Sequence, residues 1–241
     1  MDQQVNEFIN KLELSFNSPE LLKEALTHRS YVNENPNTPN GHNERLEFLG
    51  DAVLELATTQ MLFNDYPNFP EGDLTSFRAA LVRTESLAEE ALKLELGKYL
   101  FMSNGEEATG GRDRQYILAN SMEALIGSIY LDQGFDSALL FIKEKIYYKV
   151  QNIVDNRLDI DAKSKLQELS QEQLKITPTY TLISDEGPDH NKTFTMGVLI
   201  GETIFGKGNG ESKQNAEQVA ASDALENWQE LVDKHFPTNN A

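Results

Sequence analysis

The chain contains no cysteine. A disulfide framework and a zinc site built on thiolates are both excluded. Histidine is nearly as scarce. The four present, His28, His42, His190 and His235, show no paired ligand spacing. No uninterrupted apolar stretch reaches the roughly eighteen residues needed to span a bilayer. The start, Met1-Asp2-Gln3-Gln4, lacks the basic residues and apolar run of a secretory signal. A soluble cytoplasmic protein with no membrane partner is the expectation.

Positive charge is the other shortage. Lysine and arginine number 21 against 39 aspartates and glutamates, a net charge of −18. The deficit is spread along the chain, with −12 over residues 1–160 and −6 over 161–230. Taken as an average field, this argues against a nucleic-acid partner. Binding depends on local patches, however, so the average does not exclude one. A chain of 241 residues can form one or two domains and bury a core without cross-links.

What is present starts at residues 43–51, Asn-Glu-Arg-Leu-Glu-Phe-Leu-Gly-Asp. Glu44, Glu47 and Asp51 stand at i, i+3 and i+7, which stacks three carboxylates on one face of a helix. Leu46, Leu49, Val53 and Leu56 fall on another face and are expected to anchor it. An acidic face is ordinarily just solvated surface. The alternative is a cation site, since like charges held together favour a cation between them.

Patterning divides the chain in two. Residues 1–154 read as helices only. Ser18-Pro19-Glu20 has the chemistry of a helix start, and Asn43 is a candidate cap for the acidic helix. Residues 33–41 have loop composition. One amphipathic run is expected from Asp73 to Leu96, another from Gln115 to Asp132, and a last helix from Phe135 to Val154. Residues 155–160 are a polar linker. Residues 161–232 then read α-β-β-β-α, with a helix from Lys163 to Leu174, strands at Thr179–Ser184, Thr193–Ile200 and Thr203–Phe205, and a helix from Ser212 to Leu231. Residues 233–241 form a tail. Gly206-Lys207-Gly208-Asn209-Gly210 lacks P-loop spacing and reads as a loop. The fold class is an all-α domain followed by a small α+β domain.

The string at 43–51 resembles the signature of the ribonuclease III family. Leu26-Thr27-His28-Arg29-Ser30 precedes it, Glu71-Gly72-Asp73 follows, and residues 117–127, from Ile117 through Asn120 and Glu123 to Gly127, resemble the second catalytic helix. Residues 161–232 resemble a double-stranded RNA-binding domain. The resemblance covers roughly residues 5–232. It implies a homodimeric endoribonuclease that cuts both strands of duplex RNA, leaving 5′-phosphate and 3′-hydroxyl ends, in ribosomal precursor processing and messenger turnover. It also implies Mg2+ as cofactor, with Mn2+ able to substitute and no further small-molecule cofactor.

Residue by residue, the resemblance makes Glu47, Asp51 and Glu123 the core metal-binding acids, with Asp51 and Glu123 catalytic. Glu44 and Glu71 become supporting catalytic acids, and Phe48 a dimer contact. An ordinary core aromatic is the alternative for Phe48. Oxygen-only ligands suit magnesium, which requires neither histidine nor cysteine. Glu55, outside the pattern, is read as solvated, and Asp73 as a cap for the helix that follows it. For duplex RNA the resemblance points to Gln167 and Glu168, to the loop holding Pro188, Asp189 and His190, and to Ser212, Lys213 and Gln214. Lys192 and Lys207 are candidates to supplement a thin basic cluster, and a shallow salt dependence of binding is expected.

One position departs from the family. Asn120 stands where most members have aspartate, so the site lacks one negative charge but keeps a carbonyl oxygen. A working variant, an inactivated site and a site needing more metal are all open. A protein that binds duplex RNA without cutting it is therefore the second reading. A helical protein unrelated to RNA, suggested by charge alone, is the third.

Overall fold

The computed structural model describes residues 3–39, 41–156, 162–187 and 192–236. It divides into two compact units, Met1–Asp159 and Ile160–Ala241.

The described part of the first unit is helical: α1 (Gln3–Leu12), α2 (Pro19–Ala25), α3 (Arg29–Glu34), α4 (Glu44–Asp65), α5 (Glu71–Val82), α6 (Thr84–Lys93), α7 (Asn104–Ala108), α8 (Gln115–Gln133), α9 (Phe135–Lys145) and α10 (Val150–Asn156). Helix α8 is the hub. Ile117, Leu118, Met122, Leu125, Ile126 and Ile129 are all buried, and α2, α4, α6 and α9 pack around it. A helix apolar on nearly every side has this central place open to it, because only there can all its faces leave water.

Several local expectations change. The inward stripe of α4 is Leu46, Gly50, Val53, Leu54, Ala57, Thr58, Met61 and Leu62. Leu56 lies off that stripe and is 58% exposed. The run expected from Asp73 to Leu96 is two helices, broken where Arg83 turns extended at ψ 154°. The break lets α5 lie on α4 while α6 lies on α8. The run from Phe135 likewise breaks after Lys145, and its second part reaches Asn156, inside the segment expected as linker. Neither Ser18 nor Asn43 makes a side-chain cap. Ser18 instead donates its backbone N–H to Asp132 Oδ1 at 2.7 Å. Asn43 is buried and donates its backbone N–H to the Thr27 carbonyl at 2.9 Å.

In the second unit, α11 (Ala162–Gln173) precedes an antiparallel sheet of order β1 (Thr179–Glu186), β2 (Thr193–Ile200) and β3 (Thr203–Gly210), followed by α12 (Lys213–Glu226) and α13 (Trp228–His235). The last helical run is thus two helices, parted at Asn227. The core joins Leu166 of α11, Val198, Ile200 and Phe205 of the sheet, Ala220, Ala221 and Ala224 of α12, and Trp228.

The glycine string read as a loop is strand. Gly206, Gly208 and Gly210 alternate along β3, so they share one face of the sheet. That face meets α12. A β-carbon at Gly208 would lie 2.2 Å from the Ala220 nitrogen, and one at Gly206 would lie 2.3 Å from the Ala220 carbonyl oxygen. Glycine at period two opposes alanine at 216, 220 and 224, so strand and helix backbones come into contact. Glycine here reflects close approach rather than a turn.

Candidate active site

Helices α4 and α8 cross through a pair of glycines. A β-carbon at Gly50 would lie 1.7 Å from the Glu123 carbonyl oxygen. One at Gly127 would lie 2.3 Å from the Leu46 carbonyl oxygen. Only residues without a β-carbon allow backbones this near. The crossing sets the acids one turn away on each helix against each other. Glu47 and Asp51 flank Gly50, and Glu123 stands one turn before Gly127.

The electrostatics record that meeting. Burial pushes the Glu123 carboxyl up to about 8, and the negative charges of Asp51 and Glu47 push the same way. Burial also raises Glu47, helped by Glu44 and Asp51, while a hydrogen bond from Asn120 opposes the rise. The neighbouring charges acting on both carboxyls are negative. Such a cluster is costly unless protons or a cation neutralise it.

Asn120 therefore has a visible contact. Asn120 lies beside the Glu47 carboxylate and favours its ionised form. His28 lies at the same mouth. An open pocket of about 230 Å3 is lined by His28, Arg29, Glu44, Glu47, Glu106, Tyr116 and Asn120, among others. Burial holds the His28 pKa below its ordinary value, with Arg29 and His42 acting the same way and Glu106 and Glu44 against it. Arg29 stands 3.6 Å from Glu44, a long and exposed ion pair.

The donor set suits a hard cation, since it offers carboxylates and an amide oxygen. Among the described residues, no group of three or more histidines, aspartates or glutamates is gathered closely enough to hold a metal ion by itself. Magnesium keeps several of its waters and needs only one or two carboxylates from the protein, so an open cluster fits it.

Not every expected acid joins the cluster. Arg78 of α5 bonds Thr59 at 2.9 Å and pairs with Glu55 at 2.8 Å, so α5 runs back along the far half of α4. Glu71, two turns before Arg78, then lies on the order of 25 Å along the helix from Glu47. It is exposed and accepts a hydrogen bond from Thr75 Oγ1 at 3.1 Å. Glu55 is ion-paired rather than merely solvated. Asp73 sits within the first turn of α5 and is not its cap, which is Pro70. Phe48 is 81% exposed and so is no core aromatic.

Comparison with known proteins points to one family. The family description Ribonuclease-III-like matches residues 18–150, and Double-stranded RNA binding motif matches residues 162–227. Ribonuclease 3 of Desulforamulus reducens is 46% identical over 225 residues, covering 93% of this chain and 92% of that protein. Ribonuclease 3 of Bacillus cytotoxicus is 45% identical over 223 residues, covering 92% and 91%. The chain belongs to the ribonuclease III family. Its fold agrees with a solved ribonuclease III nuclease domain from Campylobacter jejuni, 38% identical with a TM-score of 0.56, covering 61% of this chain and 97% of that one.

As a member of the ribonuclease III family the protein is an endoribonuclease, and its second unit is a double-stranded RNA-binding domain. Within that unit the candidate RNA contacts are exposed. Gln167 and Glu168 lie on α11. Ser212 caps α12 by accepting from the Asn215 N–H at 3.2 Å, and Lys213 and Gln214 open that helix. Pro188, Asp189 and His190 lie outside the described residues. Two lysines of this unit are engaged already. Lys163 pairs with Glu217 at 2.5 Å, and Lys192 pairs with Asp185 at 2.6 Å.

Sequence reasoning missed Gly50 and Gly127 as site residues. The available signal was a glycine inside each helical pattern, which lowers helix propensity and so needs a packing reason. It also passed over His28 and Tyr116, whose approach to the acids is visible only in three dimensions.

Proposed function

We propose that the protein is a magnesium-dependent enzyme that cuts both strands of duplex RNA and leaves 5′-phosphate and 3′-hydroxyl ends. It works as a cytoplasmic homodimer in ribosomal precursor processing and messenger turnover. The observation carrying this reading is the meeting of Glu47 and Asp51 with Asn120 and Glu123 across the Gly50–Gly127 contact. Magnesium or manganese held there supplies the charge that offsets the phosphate and eases ionisation of water.

The protein's own groups prepare that step. Asp51, Glu47 and Glu123 would hold the cation through carboxylate oxygens. Asn120 orients the Glu47 carboxylate. Burial and the negative charges of Asp51 and Glu47 favour the protonated Glu123 carboxyl near neutral pH. Glu44 flanks the group. Glu71, remote within one chain, has no part in this cluster. The dimer reading rests on Phe48, Leu56 and Phe63, which are 81%, 58% and 71% exposed along one side of α4. Large apolar side chains grouped in water mark an interaction surface. The Campylobacter jejuni nuclease domain is described as having a region involved in dimer formation.

The test incubates duplex RNA with the wild type and Glu123→Gln, each with magnesium and with a chelator. Cleavage by the wild type in magnesium alone supports the reading. Retarded but uncut duplex in every lane supports instead a binding protein, the second reading that Asn120 motivates.

A further inference from the structure

The pocket beside the acids has a wall that the cutting chemistry leaves unassigned. His28, Arg29 and Tyr116 line it together with Glu44, Glu47 and Asn120. His28 is the best positioned of the three. Its backbone N–H donates to the Phe101 carbonyl at 2.9 Å, and the neighbouring Thr27 carbonyl accepts from Asn43, directly before the acidic helix. Residue 28 is therefore tied at once to the strap at Phe101 and to the start of α4.

The ring is oriented as firmly as the backbone. His28 Nδ1 accepts from the Ser30 N–H at 3.3 Å and lies 2.8 Å from Ser30 Oγ. That hydroxyl itself accepts from the Ser103 N–H at 3.0 Å, which leaves its own proton for Nδ1. A nitrogen receiving two donors carries no proton, so in the neutral ring the proton sits on Nε2. The described hydrogen bonds of the ring all run through Nδ1. Nε2–H is thus a fixed donor, and the residue that carries it lines the pocket. Capping α3 needs only the acceptor side and does not account for the donor.

We propose that His28 contacts the substrate, its Nε2–H donating to a backbone oxygen of the RNA strand being cut. The inference rests on the duplex-cutting reading above. A pocket edged by three carboxylates, Glu44, Glu47 and Glu106, repels RNA, and a neutral donor with the Arg29 cation beside it supplies local attraction without closing the cation site. A donor held by its neighbours before substrate arrives loses little freedom on binding.

Two substitutions separate this role from capping. His28→Asn keeps an acceptor near the Nδ1 position and loses the distal donor. His28→Gln keeps a distal N–H and loses the cap. Both are assayed by single-turnover cleavage of duplex RNA in magnesium, with thermal unfolding alongside and Glu123→Gln as reference. The expected order of cleavage is wild type, then Gln, then Asn, with Asn slower than wild type by about ten-fold or more, while Asn is the more stable of the two. Cleavage by Asn equal to or faster than Gln overturns the proposal. If the wild type cuts and Glu123→Gln does not, the endonuclease reading stands whichever way His28 falls. If the wild type does not cut, both fall.

A duplex carrying one 2′-deoxy nucleotide beside the cut identifies the oxygen. A loss that His28→Asn does not deepen assigns the 2′-hydroxyl, and additive losses assign a phosphate oxygen.

Discussion

Both units use glycine to bring two backbones into contact, but to different ends. In the nuclease unit, Gly50 and Gly127 let two helices meet, and the acids beside them are left facing like charges. In the RNA-binding unit, Gly206, Gly208 and Gly210 let a strand meet α12, and two lysines of the unit are paired, Lys163 with Glu217 and Lys192 with Asp185. The first contact concentrates charge and the second supports a surface. Close packing is common to both. What separates a site from a scaffold is whether the charges it gathers are compensated within the fold.

The comparison breaks most visibly at Gly50. Gly50→Ala must move Glu123 or its helix, so cleavage falls by 100-fold or more and stability by about 3 kcal/mol. Circular dichroism and a magnesium titration of cleavage check this. Restoration of full activity at ordinary magnesium would show that the helices need not touch.

Gly208→Ala is the counterpart in the other unit. It destabilises that unit by about 2 kcal/mol and weakens duplex binding. The magnesium concentration for half-maximal cleavage stays near that of the wild type. Calorimetry and a gel-shift titration separate the two effects.

Compensation is tested by pH. The folded pKa of Glu123 is raised to about 8 from an ordinary 4.5. A raised carboxyl favours the folded state fully below pH 4.5, and this advantage is lost as pH rises through 8. Metal-free wild type therefore loses stability between those values, and Glu123→Gln, which keeps only the raised Glu47 carboxyl of the pair, loses less. The group is partly exposed and so screened by solvent, which holds the difference to on the order of 2 kcal/mol. Thermal unfolding at pH 5 and 8.5 in chelator measures it.

Asn120→Asp returns the missing charge and removes the donor to Glu47. Cleavage persists, and the magnesium concentration for half-maximal rate falls several-fold. Unchanged metal dependence would mean that position 120 holds no cation.

Asp185→Asn has the smallest effect. It frees Lys192, strengthens duplex binding about two-fold and steepens the salt dependence by at most one counterion. An unchanged slope would show that Lys192 does not meet phosphate.

The alternation of element types along the chain was legible because periods of 3.6 and two are local properties of side-chain order. The acidic stripe was legible for the same reason, since Glu44, Glu47 and Asp51 lie within two turns of one helix. The breaks at Arg83 and Asn227 were not, because each answers to which partner the neighbouring helix packs on. Nor was β3. Its glycines have the composition of a turn, and only the alanines of α12 opposite them explain a strand.

By itself, then, the order of residues determined two units, their element types and half of an acidic cluster, all set by spacing along the chain. The tertiary structure decided the other half. It brought Glu123 to Asp51 through two glycines, set Asn120 beside Glu47, placed His28 at the pocket and left Glu71 on α5, beside the far end of α4. Each depends on which backbones can approach and which charges then face each other, and those distances arise only when residues remote in sequence pack together.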